Sequence, residues 1–240
     1  MMNRNEDIFL TYLRQMTDPL NIVVTGSVAV GKTYIQETII SHIHEHEVNV
    51  YPEFIQSEGG LTDDDFALKI LDHRFKNKIS ALTFQNFILD KWERNIEINK
   101  DKQASINIFE RLPDDAVEVF AKMSLSDLEY QTQIERMKKF SSSIISYKSM
   151  TSNDTIWIRY ENVIGKQIMP LLNFIDELIS GKRYRNIVIE VRCSSIYENY
   201  KRRDRKEEFY TSEELVNLYD SYCKYTDQLQ RKIDCEILLL

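Results

Sequence analysis

A short loop near the start of the chain constrains the fold more than any other feature of the sequence. The apolar run "LNIVVT" at 20–25 is followed by "GSVAVGKT" at 26–33 and then by "YIQETIISHIHEHE" at 34–47. The loop matches G-x-x-x-x-G-K-[ST], a pattern whose backbone N–H groups point toward phosphates while the next helix presents its positive end. We therefore predict a strand, a phosphate-binding loop and a helix in direct succession.

The loop predicts which residues hold a nucleoside triphosphate. In this pattern the lysine reaches the outer phosphates and the hydroxyl residue ligates Mg²⁺, which assigns these roles to Lys32 and Thr33. The predicted ATP-binding residues of the loop are Gly26, Ser27, Val28, Ala29, Val30, Gly31, Lys32 and Thr33. A glycine-containing turn that matches by coincidence is the alternative, and the flanking strand and helix argue against it. The loop alone suits a GTPase, an ATPase or a kinase equally.

Five short apolar runs are predicted to form strands that are covered on both faces. They lie at 20–25, 48–53, 105–110, 186–191 and 235–240. Longer segments with helical spacing separate them, which predicts an α/β protein with a doubly wound, five-stranded parallel sheet and helices on both faces. The ligands of such a sheet gather at the carboxyl ends of its strands.

The length of the chain predicts a single domain over residues 1–240. A chain of 240 residues can bury a substantial core, and no Pro/Gly-rich or low-complexity stretch divides it. The segment 141–160 fits this plan less well. Its Ser-rich first half predicts a loop, and "TIWIRY" at 155–160 predicts an additional strand. We interpret 141–160 as a possible insertion of unknown role.

Charge and cysteine content limit the partners and the compartment. The chain has 31 basic and 38 acidic residues and a formal net charge of −7, which disfavours a nucleic acid polymer as partner. Residues 1–16 resemble neither a signal peptide nor a membrane-spanning helix. The three cysteines include no C-x-x-C pair, which indicates reduced thiols. We predict a soluble, cytoplasmic protein without a membrane partner, a disulfide or a zinc site.

Charged residues at the strand ends help to distinguish a GTPase, an ATPase and a kinase. The GTPase motifs N-K-x-D and D-x-x-G are absent from the sequence. Glu53 ends the second predicted strand, where a carboxylate can accept a proton from an attacking hydroxyl. Glu110 and Arg111 end the third, offering a carboxylate to a metal and a guanidinium to a phosphate. The segment "KRRDRKEE" at 201–208 follows the fourth strand and its helix. Glu53 can equally cap or pair at a strand end, and 201–208 can be a solvated helix face.

Five features, in the same order along the chain, resemble the deoxynucleoside kinase family, which includes cellular enzymes and the thymidine kinases of large DNA viruses. These features are the loop "GSVAVGKT", the glutamate of "YPEF", the helix "FQNFILD", the block "FERLPDDAVEVFA" and the lid-like "YENYKRRDRKEE". The resemblance extends from about residue 20 to 240 and implies a P-loop kinase fold.

The resemblance implies a role for each matching residue. Glu53 is expected to be the general base for the nucleoside 5′-hydroxyl, and Lys32 and Arg111 to stabilise the transferred phosphoryl group. Gln85 is expected to pair with the edge of the base and Phe120 to stack on it, although aromatic residues at helical spacing are often simple core. The other implied roles are Mg²⁺ binding by Thr33 and Glu110, ATP binding by Arg203 and Arg205, and nucleoside binding by Arg111 and Glu208.

Several positions depart from the family pattern. The sequence has E-R-L where cellular members have E-R-S, which favours the viral branch. The segment "EFIQSEGG" at 53–60 alters the predicted wall of the sugar pocket, and Asn199 stands where an arginine often begins the lid. Trp92 and Ala116 occupy positions where some members have the Arg and Asp that serve purines and cytosine, which favours thymidine.

The sequence thus predicts ATP-dependent 5′-phosphorylation of deoxynucleosides, of the pyrimidine type, with Mg²⁺. One alternative is a nucleoside monophosphate kinase, and another is a catalytically weak nucleotide-binding paralogue that acts as a regulatory or assembly subunit. The resemblance also implies a homodimer that packs helices within 84–98 and 128–137 across a two-fold axis, yet these helices can equally be internal core.

Overall fold

The computed structural model describes most of the chain. The described residues are 18–44, 46–52, 70, 72–102, 104–140, 143–162, 167–181, 183–202 and 210–240. Among these residues, no helix combines the length and the apolarity needed to cross a membrane.

A parallel sheet forms the centre of the fold. Its strands are β1 (Leu20–Thr25), β2 (Val48–Tyr51), β3 (Ile106–Glu110), β4 (Thr155–Glu161), β5 (Asn186–Arg192) and β6 (Ile237–Leu239). They lie in the order β2-β3-β1-β5-β4-β6, and every pairing is parallel. The predicted α/β class and parallel sheet are confirmed.

The predicted number of five strands is wrong, because the described residues form a sheet of six. The additional strand is β4, which the sequence suggested as a supplement to the sheet. It lies between β5 and β6 and pairs with both, so it is an inner strand rather than an appendage. Its pattern of almost continuous burial agrees with that position.

A row of polar side chains near the amino ends of the strands sets their register. Asn107 donates to Asn21 at 3.1 Å, and Asn21 donates to Asn186 at 3.1 Å. Asn49 extends the row on one side by donating to Asn107 at 3.2 Å, and Asn186 extends it on the other by donating to Thr155 at 3.3 Å. The row crosses β2, β3, β1, β5 and β4, and a slip of one residue in any of these strands would leave buried amides without partners.

Helices cover both faces of the sheet. They are α1 (Lys32–His42), α2 (Ala81–Asn99), α3 (Pro113–Asp115, Ala116–Ala121 and Lys122–Ser124 in one run), α4 (Asp127–Lys138), α5 (Met169–Gly181), α6 (Ile196–Arg202) and α7 (Ser212–Ile233). The middle part of α3 is π-helical. Polar side chains mark helix starts: Ser80 accepts from the backbone N–H of Thr83, and Thr211 from that of Glu214.

Alternating residues of β1 show why the sheet has two cores. Ile22 and Val24 pack on the side of α1 and α5, whereas Val23 packs on the side of α2 and α3. All three side chains are fully buried. Because both faces are covered, the carboxyl ends of the strands are the part of the sheet left to bind a ligand.

Candidate active site

The loop between β1 and α1 has the conformation that its two glycines allow. Gly26 and Gly31 have φ values of 147° and 95°, which favour glycine because a Cβ would clash. A Cβ at position 26 would approach the carbonyl oxygen of Val191 to 2.5 Å, and one at position 31 would approach Asn162 Nδ2 to 2.4 Å. The glycines therefore let the loop pack closely against the ends of β5 and β4.

Lys32 begins α1 directly after this loop. Its side chain is buried and folds back over the loop, where Nζ donates to the carbonyl oxygen of Ser27 at 2.9 Å. The ammonium group and the first N–H groups of α1 therefore lie at the same loop, an arrangement that suits an anion. The predicted strand, loop and helix are all present.

Thr33 and Glu110 meet although they are 77 positions apart in the sequence. Val24 of β1 pairs with Glu110 of β3, so the end of β3 lies beside the start of the loop. Thr33 Oγ1 donates to Glu110 Oε1 at 3.0 Å, and the Glu110 side chain is buried. A hydroxyl and a carboxylate oxygen at one point are hard ligands of the kind that Mg²⁺ prefers.

Arg111 adopts a left-handed backbone conformation, with φ 64°. Its backbone N–H donates to the carbonyl oxygen of Val24 at 2.9 Å, and Nε donates to that of Gly26 at 3.1 Å. The guanidinium carbon lies 4.8 Å from the centre of the Phe120 ring and 5.7 Å from that of Tyr222. These contacts hold a buried cation beside the phosphate loop despite the cost of about 1–3 kcal/mol for a strained backbone.

The two residues predicted to recognise the base lie on packed helices, Gln85 on α2 and Phe120 on α3. Gln85 is only 4% exposed, so its side chain is buried on this side of the sheet. Trp92 and Ala116 are buried in one apolar cluster on this side of the sheet. Phe120 is half-buried and lies in contact with Arg111, so its predicted stacking on a base stays a prediction.

A buried polar cluster behind Arg111 was not predicted from the sequence. Thr25 Oγ1 and the Tyr222 hydroxyl share a hydrogen bond of 2.6 Å, and Thr25 also donates to Asp115 at 3.3 Å. Asp115 accepts from the Tyr147 hydroxyl at 3.1 Å and from the backbone N–H of Leu112 at 2.8 Å. Burial raises the pKa of the Asp115 carboxyl, while these hydrogen bonds and the charge on Arg111 act in the opposite direction.

A second, partly buried network joins β4, β5 and α7. Glu190, which pairs with Thr25 in the sheet, accepts from Arg159 at 3.0 Å and from Arg192 at 2.7 Å. Both arginines also reach Asp227 on α7, at 2.6 and 2.7 Å. The network fixes α7 over the carboxyl ends of β4 and β5, and α7 in turn presents Tyr222 to Arg111.

The structure brings together part of the predicted site. Lys32, Thr33, Glu110 and Arg111 meet at the carboxyl ends of β1 and β3, with Phe120 beside Arg111. Gln85 is buried on α2. Four predicted residues lie outside the described residues: they are Glu53, Arg203, Arg205 and Glu208. Tyr222 lies in none of the motifs found in the sequence, and Asp115 lies in the block "FERLPDDAVEVFA" but was assigned no role there.

A sequence model of one family, deoxynucleoside kinase, matches residues 22–162. This match covers more than half of the chain and includes the loop, Gln85, Glu110, Arg111 and Phe120. The chain belongs to the deoxynucleoside kinase family. Its sheet, phosphate loop and helices on both faces are therefore those of a P-loop kinase fold.

The herpesvirus thymidine kinase EHV4-TK, in a crystal structure of its complex with TP4A, is similar to this deoxynucleoside kinase family member. The two chains are 9% identical, with a TM-score of 0.42, and the match covers 85% of this chain. The present chain spans 58% of the length of EHV4-TK. A comparison with curated proteins gives no match.

Proposed function

We propose that this chain transfers the γ-phosphoryl group of ATP to the 5′-hydroxyl of a deoxynucleoside of the pyrimidine type, in nucleotide salvage for DNA synthesis. The observation that carries the proposal is the contact of Thr33 with Glu110 beside the phosphate loop, in a chain of this family. The loop would bind the donor phosphates, and the buried Arg111 next to it would stabilise the charge of the phosphoryl group during its transfer. Catalysis of this kind consists mainly of positioning and charge stabilisation.

The donor side of the proposal rests on Lys32 and Thr33. Lys32 lies over the loop through its hydrogen bond to Ser27, and the phosphates of ATP would replace that bond. Thr33 and Glu110 would hold Mg²⁺, which would neutralise part of the negative charge on the donor phosphates. Among the described residues, no group of three or more His, Cys, Asp or Glu side chains could hold a metal. A Mg²⁺ ion bound mainly by phosphates, water and one carboxylate requires no such group.

The acceptor side rests on Arg111 and Gln85. Arg111 would orient the 5′-hydroxyl and the phosphoryl group, because its guanidinium is fixed by Gly26 and by two aromatic rings. Gln85 would pair with the edge of the base, and Phe120 would stack on it. The proton of the 5′-hydroxyl would pass to the carboxylate of Glu53 as the new O–P bond forms and ADP leaves. Arg203 and Arg205 would contact the donor phosphates, and Glu208 the sugar.

The preference for a pyrimidine follows from two apolar side chains. Trp92 and Ala116 are buried in the same cluster and supply no charged group to a base. A pocket without such a group favours thymidine over purines and cytosine.

We propose a cytoplasmic homodimer as the active form. Leu128 on α4 is 81% exposed, and a second copy of the chain would cover it.

The proposed activity is tested by incubating the protein with labelled ATP, Mg²⁺ and a panel of nucleosides and nucleoside monophosphates. A labelled nucleoside 5′-monophosphate is the expected product, whereas a labelled diphosphate would indicate a monophosphate kinase. Lys32→Ala is expected to lose nearly all turnover and most ATP binding at the phosphate loop while remaining folded. Lys100→Ala, at an exposed position of the same residue type, serves as the control. Absence of any product from the parent protein would contradict the proposal.

A further inference from the structure

A cavity of about 640 Å³ lies between α3, α7 and the segment that contains Tyr147–Ser149. Its lining includes no residue of the phosphate loop, and none of Gln85, Glu110, Arg111 or Phe120. The cavity is therefore separate from the site described above. Its volume falls within the range of small-molecule sites, which is about 300–1,000 Å³.

The charged side chains around this cavity favour an anion. Four lysines line it, which are Lys122, Lys148, Lys224 and Lys232, against the two carboxylates of Asp114 and Glu118. Both carboxylates have partners in the protein: Asp114 accepts from Ser146 at 2.7 Å and Glu118 from Tyr130 at 2.6 Å. Within the described part of the chain, three of the lysines make no ion pair, and Lys148 lies 3.8 Å from Glu118. On a chain with a net charge of −7, this local excess of ammonium groups is a distinct feature.

The interior of the cavity is apolar and aromatic. Val119, Met150 and Ile233 are each less than 9% exposed and form part of its wall. Tyr147 and Tyr225 add aromatic rings. An inorganic anion would contact the lysines alone and leave this wall unused. A ligand that carries both a ring and negative charge would use both parts.

Two helices supply most of the residues that line the cavity. On α7, Ser221, Lys224, Tyr225, Gln228 and Lys232 recur at helical spacing and line one side. On α3, Asp114, Glu118 and Lys122 line the other side, around the π-helical part. Such π-helical turns are frequent at functional sites.

We propose that this cavity binds a ring-bearing organic phosphate of the nucleotide class, at a site distinct from the phosphate loop. The phosphate groups would contact Lys224, Lys232 and Lys122, and the ring would lie against Tyr225 and Val119. The proposal does not depend on the activity proposed above, because the two sites share no lining residue.

Isothermal titration of the full chain with ATP and with inorganic tripolyphosphate separates the two sites. The parent protein is expected to show two binding events for ATP. The double variant Lys224→Glu with Lys232→Glu is expected to lose one event, by at least about tenfold in affinity, and to keep the event at the phosphate loop. Lys32→Ala is expected to lose the event at the phosphate loop and to keep the event at the cavity. The double variant Lys78→Glu with Arg183→Glu makes the same change in net charge at exposed positions away from the cavity and is expected to keep both events.

Two results would overturn the proposal. The first is a Lys224→Glu with Lys232→Glu protein that is folded by circular dichroism and still shows both events at parental affinity. The second is a Lys32→Ala protein that is folded and shows no event at all, since this would leave the phosphate loop as the sole site. In the Lys32→Ala protein we expect ATP to bind at least about tenfold more tightly than tripolyphosphate. Equal affinities of the Lys32→Ala protein for ATP and tripolyphosphate would overturn the assignment of a ring-bearing ligand.

Discussion

Asn162 donates a hydrogen bond from Nδ2 to the carbonyl oxygen of Val30 at 2.7 Å. Asn162 directly follows β4, and its backbone N–H donates to the carbonyl oxygen of Arg192 at 2.8 Å. The inner strand that the sequence suggested as an addition thus ends on the phosphate loop. The Asn162 side chain approaches the loop so closely that position 31 has no room for a Cβ.

Removing this contact is expected to loosen the loop. Asn162→Ala should raise the KM for ATP about 3- to 10-fold, with a smaller effect on kcat, because one hydrogen bond contributes about 0.5–1.5 kcal/mol. Steady-state kinetics at varied ATP concentration measures the effect. Asn173→Ala, at an exposed position of α5, is the control. If both variants had the parental KM for ATP, Asn162 would have no role in positioning the loop.

The proposed general base is tested by Glu53→Gln. This change keeps the size and polarity of the side chain but removes its basicity. Turnover should fall by about 10²–10⁴-fold while both substrates still bind with affinities near those of the parent, as measured by titration. Glu47→Gln, at an exposed position before β2, is expected to be neutral. A Glu53→Gln protein that turned over at the parental rate would instead direct attention to Glu110.

The role of Gln85 in base recognition is tested by Gln85→Leu. The substitution removes the donor and the acceptor of the proposed pair with the base, a loss of about 1–3 kcal/mol for buried groups. We expect kcat/KM to fall unequally across a panel of nucleosides, with little change in the midpoint of thermal unfolding. Gln131→Leu, exposed on α4, is the control. A uniform decrease that followed a lower unfolding midpoint would make Gln85 a structural residue.

The buried carboxyl of Asp114 predicts a dependence of stability on pH. Burial raises the pKa of Asp114 to about 6, while the hydrogen bond from Ser146 and the charge on Lys148 oppose this rise and the charge on Asp115 adds to it. An unfolded aspartate has a pKa of about 3.9, so the folded state binds the proton more tightly. The resulting stabilisation is fully present below pH of about 4 and is lost as the pH rises through about 6.

Asp114→Asn is expected to remove this dependence while it keeps an acceptor for Ser146. The variant should be more stable than the parent at pH 7, by up to about 2–3 kcal/mol, with no gain near pH 4. Urea unfolding at several pH values measures the difference. Asp101→Asn, at an exposed position after α2, is the control. A parent protein whose stability did not fall between pH 4 and pH 7 relative to Asp114→Asn would contradict this prediction.

Much of the fold could be predicted because its signals are local. The β1 strand, the loop and α1 form one continuous segment in which each residue type suits its own backbone conformation, as Gly26 and Gly31 show. β3, β4 and β5 were recognisable as short apolar runs because strands buried on both faces need no polar alternation. The predicted coverage of the last strand on both faces is wrong, because Ile237 and Leu239 of β6 are exposed. Membership of the deoxynucleoside kinase family was likewise recognisable, since its motifs are contiguous and occur in a set order.

What the tertiary structure alone decided is which of these segments are neighbours. Nothing in "TIWIRY" indicates that β4 lies between β5 and β6, because the order of parallel strands depends on how the connecting helices pack against the sheet. Thr25 and Tyr222 are 197 positions apart and still share a hydrogen bond behind Arg111. The sequence determined which residues could hold phosphate and metal, since that chemistry belongs to the side chains. Only the packing of α3 and α7 on the sheet decided what supports Arg111 and where the lysine-lined cavity lies, because those contacts join segments distant in the chain.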